Sequence, residues 1–383
     1  MAVSHSLPVA LHCVPVPGFG GVARHISDIA EAGLPGYRLV VLCPPGALSA
    51  RLKELGAEVL EANFGTDAGL MVSLRTLTSI IENLQPAIVH SHLAYADVVA
   101  AIAVNRLKAR RVLHRSTHLP QLFTTEHGIA GDDTVYHGSS WRSRLMQTVH
   151  RARLWGTDGA LAVSQSTADQ MRRQWGARKV GVLTNGIDLL GITQAVASQR
   201  VVPDSHQLRV LSLSRLAPEK GLDVLIDAFS LLQQQVPGAS LEIAGEGELL
   251  PQLQQQIKKL GLEESVSFPG FVDSLAAMGR SDVLVQLSVW ENCSYTLLDA
   301  KAAGLKVIAT AVGGNPEILS GAEMVPSLRQ MNRHIAAALV AKKVREAQDL
   351  PNTTFEWTTT EQMTSRLADY YGEGQDVYHR NKR

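Results

Sequence analysis

The sequence is short of cysteine, of long apolar runs and of net charge, and the first two shortages already exclude classes of protein. Its three cysteines, Cys13, Cys43 and Cys293, are an odd number without metal-ligand spacing, which argues against a disulfide framework or a structural zinc site and favours reduced thiols. No apolar run approaches the roughly 18 residues of a membrane-spanning helix, and residues 1–18 lack the basic region and apolar core of a signal peptide. We therefore expect a cytoplasmic protein, soluble or peripheral at the inner face of the cytoplasmic membrane.

The 36 basic and 36 acidic residues balance, but they are unevenly distributed. Residues 1–187 contain 18 Lys and Arg against 13 Asp and Glu, whereas residues 188–383 contain 18 against 23. A basic first half suits contact with anionic lipid or a charged acceptor, although random scatter over two domains explains the numbers equally well. A length of 383 residues, 45% of them hydrophobic, is sufficient for two domains with apolar cores.

Strand-like and helix-like segments alternate along the chain. In the first half the predicted strands are residues 9–16, 37–42, 58–61, 87–90, 120–125, 159–163 and 179–183. Such alternation predicts a parallel sheet that is covered by helices on both faces. Residues 189–208 lack clear periodicity, so we predict a linker there, followed by a second strand–helix series from residue 209.

A glycine loop, Gly20-Gly21, separates the first predicted strand from a predicted helix at residues 22–32. Glycines at such a place let backbone N–H groups approach a phosphate. The segment from Gly18 to Ala23 also fits the dinucleotide fingerprint, which makes a nicotinamide-binding domain an alternative. That alternative is the weaker one, because the second strand is not followed by the acid that the fingerprint requires.

Two acids flank a predicted helix near the end of the second half. Glu291 follows an apolar strand at residues 283–289, so we expect it as an exposed acid at the carboxyl edge of a sheet, where open α/β sheets bind ligands. Asp299 comes about two helical turns later, roughly on the same face of a helix at residues 295–304. Both carboxylates are therefore predicted to line one crevice, unless they are simply solvated charges on an ordinary helix.

The strand that follows, residues 306–310, leads to a second glycine loop, Gly313-Gly314, and a helix start. We predict Asn315 as its N-cap and Pro316 at its first helical position. Backbone N–H groups at such a start are again suited to an anion.

Two cations lie at the mouth of the strand at residues 209–213. Arg215 and Lys220, in the segment Ser-Arg-Leu-Ala-Pro-Glu-Lys-Gly, precede a helix and are suited to neutralise a diphosphate, unless they are surface charges on a turn. Glu219 between them is interpreted as a solvated or helix-start residue.

Histidines and a basic run stand out in the first half. His90 and His92 are interpreted either as structural or surface residues or as a pair pointing into a cleft between domains. The run at residues 106–115 is either a solvated face or a patch for lipid phosphate.

The motif order at residues 291–317, acid, seven residues, acid, small residues, glycine, apolar strand and Gly-Gly-x-Pro-Glu, closely resembles the donor site of retaining glycosyltransferases of family 4. Members of that family have two Rossmann-like domains facing a cleft, the GT-B fold. The resemblance covers nearly the whole chain and implies an α/β protein whose C-terminal helix crosses back to the N-terminal domain. It implies an acceptor-binding domain at residues 1–188, a linker at 189–208, a nucleotide-sugar-binding domain at 209–354, and the crossover helix with a frayed tail at 355–383.

The resemblance also implies roles for individual residues. Glu291 would contact the transferred sugar, and Asp299 the ribose hydroxyls of the nucleotide. Arg215 and Lys220 would hold the donor diphosphate. The implied catalytic residues are His127, Glu291, Arg215 and Lys220. The implied donor-binding residues are Gly20, Gly21, Arg215, Lys220, Gly245, Phe271, Val272, Glu291, Asn292, Cys293, Ser294 and Asp299.

Three of these positions carry open alternatives. His127, in a pattern similar to Thr-x-His, would contact the donor sugar near the reaction centre, with His118 as its rival. Phe271 is either a contact to the base or a core residue. The family usually has Glu where Asp299 stands and Gly-Phe-Gly where residues 292–294 read Asn-Cys-Ser, so the identity of the sugar stays open.

The resemblance implies a metal-independent, retaining transfer of a sugar from a nucleotide-diphosphate sugar, most simply a UDP-sugar, to a glycan or lipid-linked acceptor. No cofactor, no metal and no nucleic acid partner is expected, and the basic first domain is interpreted as a surface for peripheral membrane contact. By analogy the pathway is bacterial surface polysaccharide or lipopolysaccharide biosynthesis. The alternatives are a sugar-nucleotide 2-epimerase, which shares this architecture, and a catalytically silent partner of a glycan assembly complex.

Overall fold

A computed structural model of the chain describes residues 7–114, 119–129, 140–200, 207–351 and 353–380, with the backbone alone for residues 110–114, 140–146, 330 and 374–380. The chain divides into two compact units. The first consists of residues 1–186 and 358–383, and the second of residues 187–357. None of the helices in the described ranges combines the length and apolar composition that crossing a bilayer requires.

The first unit is built around a parallel sheet with seven strands in the described ranges, in the order β3-β2-β1-β4-β5-β6-β7. The strands are β1 (Val9–Cys13), β2 (Arg38–Cys43), β3 (Glu58–Glu61), β4 (Ile88–His92), β5 (Gln121–Glu126), β6 (Gly159–Ala162) and β7 (Val180–Val182). Within the described ranges, the helices of this unit are Gly21–Ala32, Ala47–Glu54, Leu70–Leu84, Ala94–His114, Ser140–Trp155, Gln165–Trp175 and Thr360–Arg380.

Apolar residues of β1 pack on both faces of this sheet. Leu11 belongs to a cluster with residues of the helices Leu70–Leu84 and Ala94–His114, and Ala10 to a cluster with Ile29 and Leu367. The central strands are therefore buried along their whole length, as expected for a parallel sheet between two helical layers. The strand order reverses between β1 and β4, and the carboxyl ends beside such a reversal are where open α/β sheets bind ligands.

The C-terminal helix returns to the first unit, as the sequence predicted. Met363, Leu367 and Tyr371 recur at four-residue intervals, are fully buried and pack in the same cluster as Ala10. The helix continues to Arg380, so the prediction that the chain frays from residue 372 is wrong up to that point. Gly372 lies inside the helix without the left-handed backbone of a cap, and polar composition alone does not end a helix.

The second unit contains a parallel sheet with six strands in the part of the chain described, in the order β10-β9-β8-β11-β12-β13. The strands are β8 (Arg209–Leu213), β9 (Ser240–Ala244), β10 (Val266–Ser267), β11 (Val283–Gln286), β12 (Lys306–Thr310) and β13 (Met324–Val325). The α-helices are Leu189–Gln199, Leu222–Gln235, Leu250–Leu260, Ser274–Gly279, Tyr295–Ala302, Asn315–Ile318 and Arg333–Glu346. The order reverses between β8 and β11, so the prediction of two Rossmann-like sheets is confirmed.

The prediction of a linker at residues 189–208 is wrong for its first half. Residues Leu189–Gln199 form a helix of the second unit, capped by Asp188, whose carboxylate accepts from the Gly191 amide at 2.8 Å. Ile192 and Val196, one turn apart, are buried in that unit's core. Leu189, three residues before Ile192, packs against the same core, and three apolar positions are too few to reveal the helix in the sequence.

Candidate functional site

Loops from neighbouring strands of the second unit are joined along the carboxyl edge of its sheet. The Leu216 amide, after β8, donates to the Glu246 carbonyl, after β9, at 2.8 Å. The Val289 amide, after β11, donates to the Glu219 carbonyl at 2.7 Å. The motifs that the sequence placed far apart therefore meet at the strand reversal.

Lys220 and Glu291 form an ion pair at this edge. The Lys220 Nζ lies 2.6 Å from Glu291 Oε1, and both side chains are largely buried. The same oxygen accepts from Gln286 Nε2 at 2.6 Å and from the Ser288 hydroxyl at 2.7 Å. The Ser294 hydroxyl donates to Gln286 Oε1 at 3.0 Å and so orients the amide. Glu291 is thus not the exposed acid expected from the sequence, because three donors hold its carboxylate against the sheet.

Arg215 stands at the mouth of β8 with 71% of its side chain exposed. Its Nη2 donates to Glu219 Oε1 at 2.6 Å, and Glu219 is buried in the short 3-10 helix Pro218–Lys220. Of the two interpretations of Glu219, the solvated residue is wrong and the helix-start residue is confirmed, because this turn buries its carboxylate beneath the guanidinium. Each predicted diphosphate ligand, Arg215 and Lys220, therefore has a carboxylate partner.

Two glycines at this edge are required by close backbone approach. Gly313 has a φ of +52°, and a Cβ there would lie 1.7 Å from the carbonyl oxygen of Glu291. Gly245 has a φ of +136°, and a Cβ there would lie 2.0 Å from the carbonyl oxygen of Ser214. Glycine alone fits both the backbone conformation and the space, so the loops after β9 and β12 pack directly on the loops that carry the ion pairs.

The helix after β12 begins one residue earlier than predicted. Gly314 precedes it, and Asn315 and Pro316 already belong to its first turn, so the prediction of Asn315 as N-cap is wrong. The buried Asn315 amide instead donates to the Thr310 carbonyl at 2.9 Å. That bond closes the turn at the end of β12.

The remaining predicted donor-binding residues of this unit differ in exposure. Those that are buried or half-buried are Val272, Asn292, Cys293, Ser294 and Asp299. Phe271 is 86% exposed, so its interpretation as a core residue is wrong. It follows the two-residue strand β10 at the end of the strand order, where little sheet surface is available to cover it. The donor contacts of all these residues stay predictions.

In the first unit, five histidines lie together at the strand reversal. His12 is in β1, His90 and His92 are in β4, His25 is in the helix Gly21–Ala32, and His127 follows β5. Neighbouring rings have centroids 4.5 to 6.0 Å apart. Four of the rings are fully buried and His127 is half-buried, so the interpretation of His90 and His92 as surface residues is wrong. Strand β4 continues through both residues, so their side chains are buried beneath the helices that cover the sheet.

Hydrogen bonds join four of these rings to Tyr371 in one chain. The Tyr371 hydroxyl joins His90 Nδ1 at 2.5 Å and His12 Nε2 at 3.0 Å. His92 continues the chain, through its Nε2 to His12 Nδ1 at 3.1 Å and through its Nδ1 to His127 Nε2 at 2.9 Å. A neutral imidazole has one donor and one acceptor nitrogen. The hydrogen bonds between His12, His92 and His127 must therefore all be donated in the same direction along the chain. Among the described residues His127 Nδ1 has no hydrogen-bond partner, which makes it the open end of the chain.

Burial lowers the pKa of every histidine in the cluster. The pKa falls to about 3 for His12 and to about 4 for His25, and it lies well below the ordinary value for His90, His92 and His127. Loss of hydration is the first cause, and repulsion between charged rings adds to it at every ring except His25. The cluster is therefore neutral at pH 7.

Two subsets of the cluster each bring three ring nitrogens within 4.8 Å of one another, namely His12, His90 and His92, and His25, His92 and His127. His25 Nε2 is buried without a hydrogen-bond partner in the described part of the chain, and its Nδ1 bonds Asn185 Oδ1 at 3.1 Å. Neutral imidazoles are the ligands that transition metals such as zinc accept. The expectation that the protein works without metal stays a prediction.

A buried cluster of one guanidinium and two carboxyl groups lies next to His127 in the chain. Arg153 pairs with Asp97 and, at 2.5 Å, with Glu126. Burial raises the pKa of Glu126 to about 8 and lowers that of Arg153 to about 10. These contacts hold the end of β5, from which His127 projects. The sequence offered no local signal for them, because Arg153 lies 27 residues beyond Glu126.

The glycine loop of the first unit lies directly before the helix Gly21–Ala32, as predicted. Gly20 is extended, and a Cβ added at Gly20 or Gly21 would meet nothing within 4 Å. Lys108, from the predicted basic run, pairs with Asp158 at 3.1 Å. His118 and the side chains of residues 110–115 lie outside the described residues, so the choice between His127 and His118 stays open.

Two family models match successive parts of the chain. The model described as Glycosyltransferase Family 4 matches residues 19–189, and the model described as Glycosyl transferases group 1 matches residues 195–348. Together they cover most of the first unit and most of the second.

Two relatives and one solved structure that match most of the chain have different names. Glycogen synthase of Mycobacterium tuberculosis is 26% identical over 403 residues, 93% of each chain. A phosphatidylinositol N-acetylglucosaminyltransferase protein of Arabidopsis thaliana is 24% identical over 320 residues, 79% of this chain and 67% of that protein. The structure of Alr3699/HepE from Anabaena, in complex with UDP and glucose, has a TM-score of 0.68 at 20% identity and covers 98% of this chain and 99% of its own. At that identity the structural likeness shows the fold.

Proposed function

Because the chain belongs to the GT-B glycosyltransferases of the family 4 type, we propose that it is a retaining enzyme that moves a sugar from a nucleotide-diphosphate sugar to a glycan or lipid-linked acceptor. The observation that carries the proposal is the Lys220–Glu291 ion pair at the strand reversal of the second unit. A buried cation at that edge is suited to a diphosphate, and the carboxylate beside it to sugar hydroxyls.

Donor binding exchanges the partners of the two cations. In the free protein Lys220 is paired with Glu291, and Arg215 with Glu219. A diphosphate brings negative charge that competes for both cations, and Arg215 is exposed enough to turn toward it. Glu291 then keeps its bonds from Gln286 and Ser288 and presents its free oxygen to the sugar.

The transfer itself needs negative charge to be stabilised on the leaving diphosphate. The bond between the anomeric carbon and the diphosphate oxygen breaks, the acceptor oxygen bonds that carbon on the same face, and the acceptor proton leaves with the diphosphate. Lys220 and Arg215 stabilise the charge that builds on the leaving group, which is an electrostatic contribution of about 3 kcal/mol for one such contact. Asp299 holds the nucleotide ribose in this proposal.

His127 contacts the donor sugar in this proposal. Its Nδ1 is open, and its Nε2 is fixed by His92 at 2.9 Å. A neutral ring held from behind has a defined orientation, which is what a positioning contact to a sugar hydroxyl requires. Gly20 and Gly21 contact donor phosphate or acceptor, which is supported by the open space before their helix.

The proposal also specifies the donor, the acceptor and the pathway. UDP-sugars are the first donors to test, because the Anabaena protein of the same fold holds UDP and glucose. A lipid-linked acceptor is supported by the Arabidopsis relative, which is named for phosphatidylinositol. We place the reaction in bacterial surface polysaccharide or lipopolysaccharide biosynthesis, without metal or cofactor, at a membrane contacted peripherally by the basic first domain.

The test is turnover of UDP-, GDP- and ADP-sugars with candidate acceptors, with release of nucleoside diphosphate measured with and without a chelator. We expect one donor to react, the chelator to leave the rate unchanged, and NMR to find the anomeric configuration retained. Lys220→Ala should lower the rate at least about 100-fold, whereas Lys259→Ala, which removes an exposed lysine of the same unit, should not. An inverted product contradicts the retaining mechanism, and a sugar-nucleotide isomer formed without acceptor supports the epimerase instead.

A further inference from the structure

A cavity of about 830 Å³ lies on the first unit at the ends of the helices Ser140–Trp155 and Gln165–Trp175. Four exposed cationic side chains line it, namely Arg151, Arg173, Arg178 and Lys179. Like charges around one cavity repel one another, so their concentration here calls for an explanation.

The charge of this cavity is not neutralised by the described residues around it. Asp158 is the acidic lining residue, and its carboxylate already accepts from Lys108 Nζ at 3.1 Å and from the Leu122 amide at 2.8 Å. Arg151 donates to the Gln174 carbonyl at 3.2 Å, which leaves its positive charge in place. Within the ranges described, no ion pair involves Arg173, Arg178 or Lys179.

The helix dipole explains only one of the four cations. The C-terminal carbonyls of the helix Gln165–Trp175 attract positive charge, and Arg173 lies in its last turn. Arg151 belongs to the helix Ser140–Trp155. Residues 178–179 lie beyond Gly176, the residue that ends the helix Gln165–Trp175. Three cations therefore need another reason to face the cavity.

Trp155 lines the same cavity and is 95% exposed. Trp175, another lining residue, is buried, stacks on His150 at a centroid distance of 4.2 Å and lies under Arg153 at 5.1 Å. Among the described residues, the exposed indole of Trp155 has no comparable cover. Tryptophan beside lysine and arginine is typical of a membrane interface, where the ring sits at headgroup level and the cations meet phosphate.

We propose that this cationic surface, formed by Arg151, Trp155, Arg173, Arg178 and Lys179, binds an anionic phospholipid membrane, with a headgroup phosphate in the cavity and the indole at the interface. The inference rests on the proposed membrane contact of this unit and can fail while the donor site of the second unit stands. A soluble phosphate compound engages the cations but leaves Trp155 in water. Each cation near an anionic leaflet contributes roughly five-fold, so four give on the order of 10²- to 10³-fold preference over neutral vesicles.

The test is sedimentation of the full chain with vesicles of phosphatidylcholine alone or mixed with phosphatidylglycerol, at low and high salt. The wild type should sediment with the mixed vesicles only, and less at high salt. The triple variant Arg173→Ala, Arg178→Ala, Lys179→Ala should lose roughly 10²-fold in vesicle affinity. The control variant Lys258→Ala, Lys259→Ala, Arg345→Ala removes three exposed cations from the second unit and should bind like the wild type.

A second pair of variants isolates the indole. Trp155→Ala should weaken binding to mixed vesicles several-fold, whereas Ile335→Ala, at an exposed apolar residue of the second unit, should not. All the altered side chains are exposed, so melting temperatures and nucleotide binding should stay unchanged, which separates this test from a failure of the donor site.

Three results would overturn the proposal. The first is equal binding to neutral and mixed vesicles, and the second is equal loss in the two triple variants. The third is inorganic phosphate that raises the melting temperature of the wild type but not of the triple variant, without vesicle binding. That last outcome would assign the cavity to a soluble phosphate ligand instead.

Discussion

The strand reversals of the two units have the same topology and opposite chemistry. Between β1 and β4, the first unit gathers neutral, buried imidazoles joined through Tyr371. Between β8 and β11, the second unit gathers Lys220, Glu291, Arg215 and Glu219 in ion pairs. Topology therefore determines where a polar site forms in each unit, and the side chains determine what can disturb it. The first site should respond to protons, and the second to anions.

The largest expected effect is acid destabilisation of the first unit. Below the ordinary histidine pKa of 6.5 the histidines of the unfolded chain bind protons, whereas those of the buried cluster do not. The free energy of unfolding therefore falls as the pH drops from 6.5 to 5. Each ring whose folded pKa lies below 5 contributes about 2 kcal/mol to this loss, whereas Glu126, with its raised pKa, opposes it by about as much. The net loss should be several kcal/mol, read as a lower melting temperature.

Hydrogen exchange locates that loss. Amides of β1 and β4 should lose protection at pH 5 before those of β8 and β11, once rates are corrected for intrinsic exchange. Equal melting temperatures at pH 7 and pH 5 would contradict the assignment of a neutral, desolvated cluster.

Gly313→Ala should disturb the charged site through its backbone. A Cβ would meet the Glu291 carbonyl oxygen in a left-handed conformation, at a cost of roughly 2–6 kcal/mol. Thermal unfolding measures the loss, and nucleotide turnover should fall with it. Gly321→Ala is the control, because a Cβ there meets nothing within 4 Å and the backbone is not left-handed. If Gly313→Ala and Gly321→Ala are equally stable, the loop after β12 accommodates the added Cβ without a loss of stability.

Glu291→Gln separates binding from transfer. The amide keeps a hydrogen-bond acceptor for Ser288 but releases Lys220 from its counter-charge, so affinity for a nucleoside diphosphate should stay the same or rise. Turnover should fall about 100-fold, because the carboxylate no longer meets the sugar. Glu263→Gln, at an exposed acid of the same unit, should change neither quantity. Weaker nucleotide binding in Glu291→Gln would argue against the exchange of partners.

Tyr371→Phe should give the smallest of these effects. Loss of the hydroxyl leaves His12 Nε2 and His90 Nδ1 buried without their partner, which costs about 1–3 kcal/mol. Tyr370→Phe is a matched control in the next position, where the hydroxyl makes one long bond of 3.4 Å to the Val182 carbonyl. If both variants melt alike, the hydrogen-bonded chain contributes little.

Features encoded locally could be predicted from the sequence. Strand–helix alternation gives both sheets, and short motifs identify Arg215, Lys220 and Glu291, because each lies within a few residues of a strand end. Their pairing was not predictable, since Lys220 and Glu291 are 71 residues apart. Gln286 and Ser288 were also missed, although they lie only five and three residues before Glu291 and this spacing was a usable signal.

The histidine cluster could not be predicted from local sequence patterns. His12, His25 and Tyr371 come from three elements, and His12 is 359 residues from Tyr371, so only the return of the C-terminal helix brings the tyrosine to the rings. Alternation within β4 did not mark His90 and His92 as buried, because histidine reads as a polar residue there. The burial of these two rings can be recognised only from the folded structure, in which the neighbouring rings surround them.

The most direct test of the central claim is calorimetric titration of UDP, GDP and ADP, with their matching monophosphates, into the wild type and Lys220→Ala. The charged strand reversal of the second unit should bind one diphosphate more tightly than its monophosphate, and Lys220→Ala should lower that affinity at least about tenfold, or about 1.4 kcal/mol. A Lys220→Ala variant that binds the diphosphate as tightly as the wild type would contradict the assignment of the donor site.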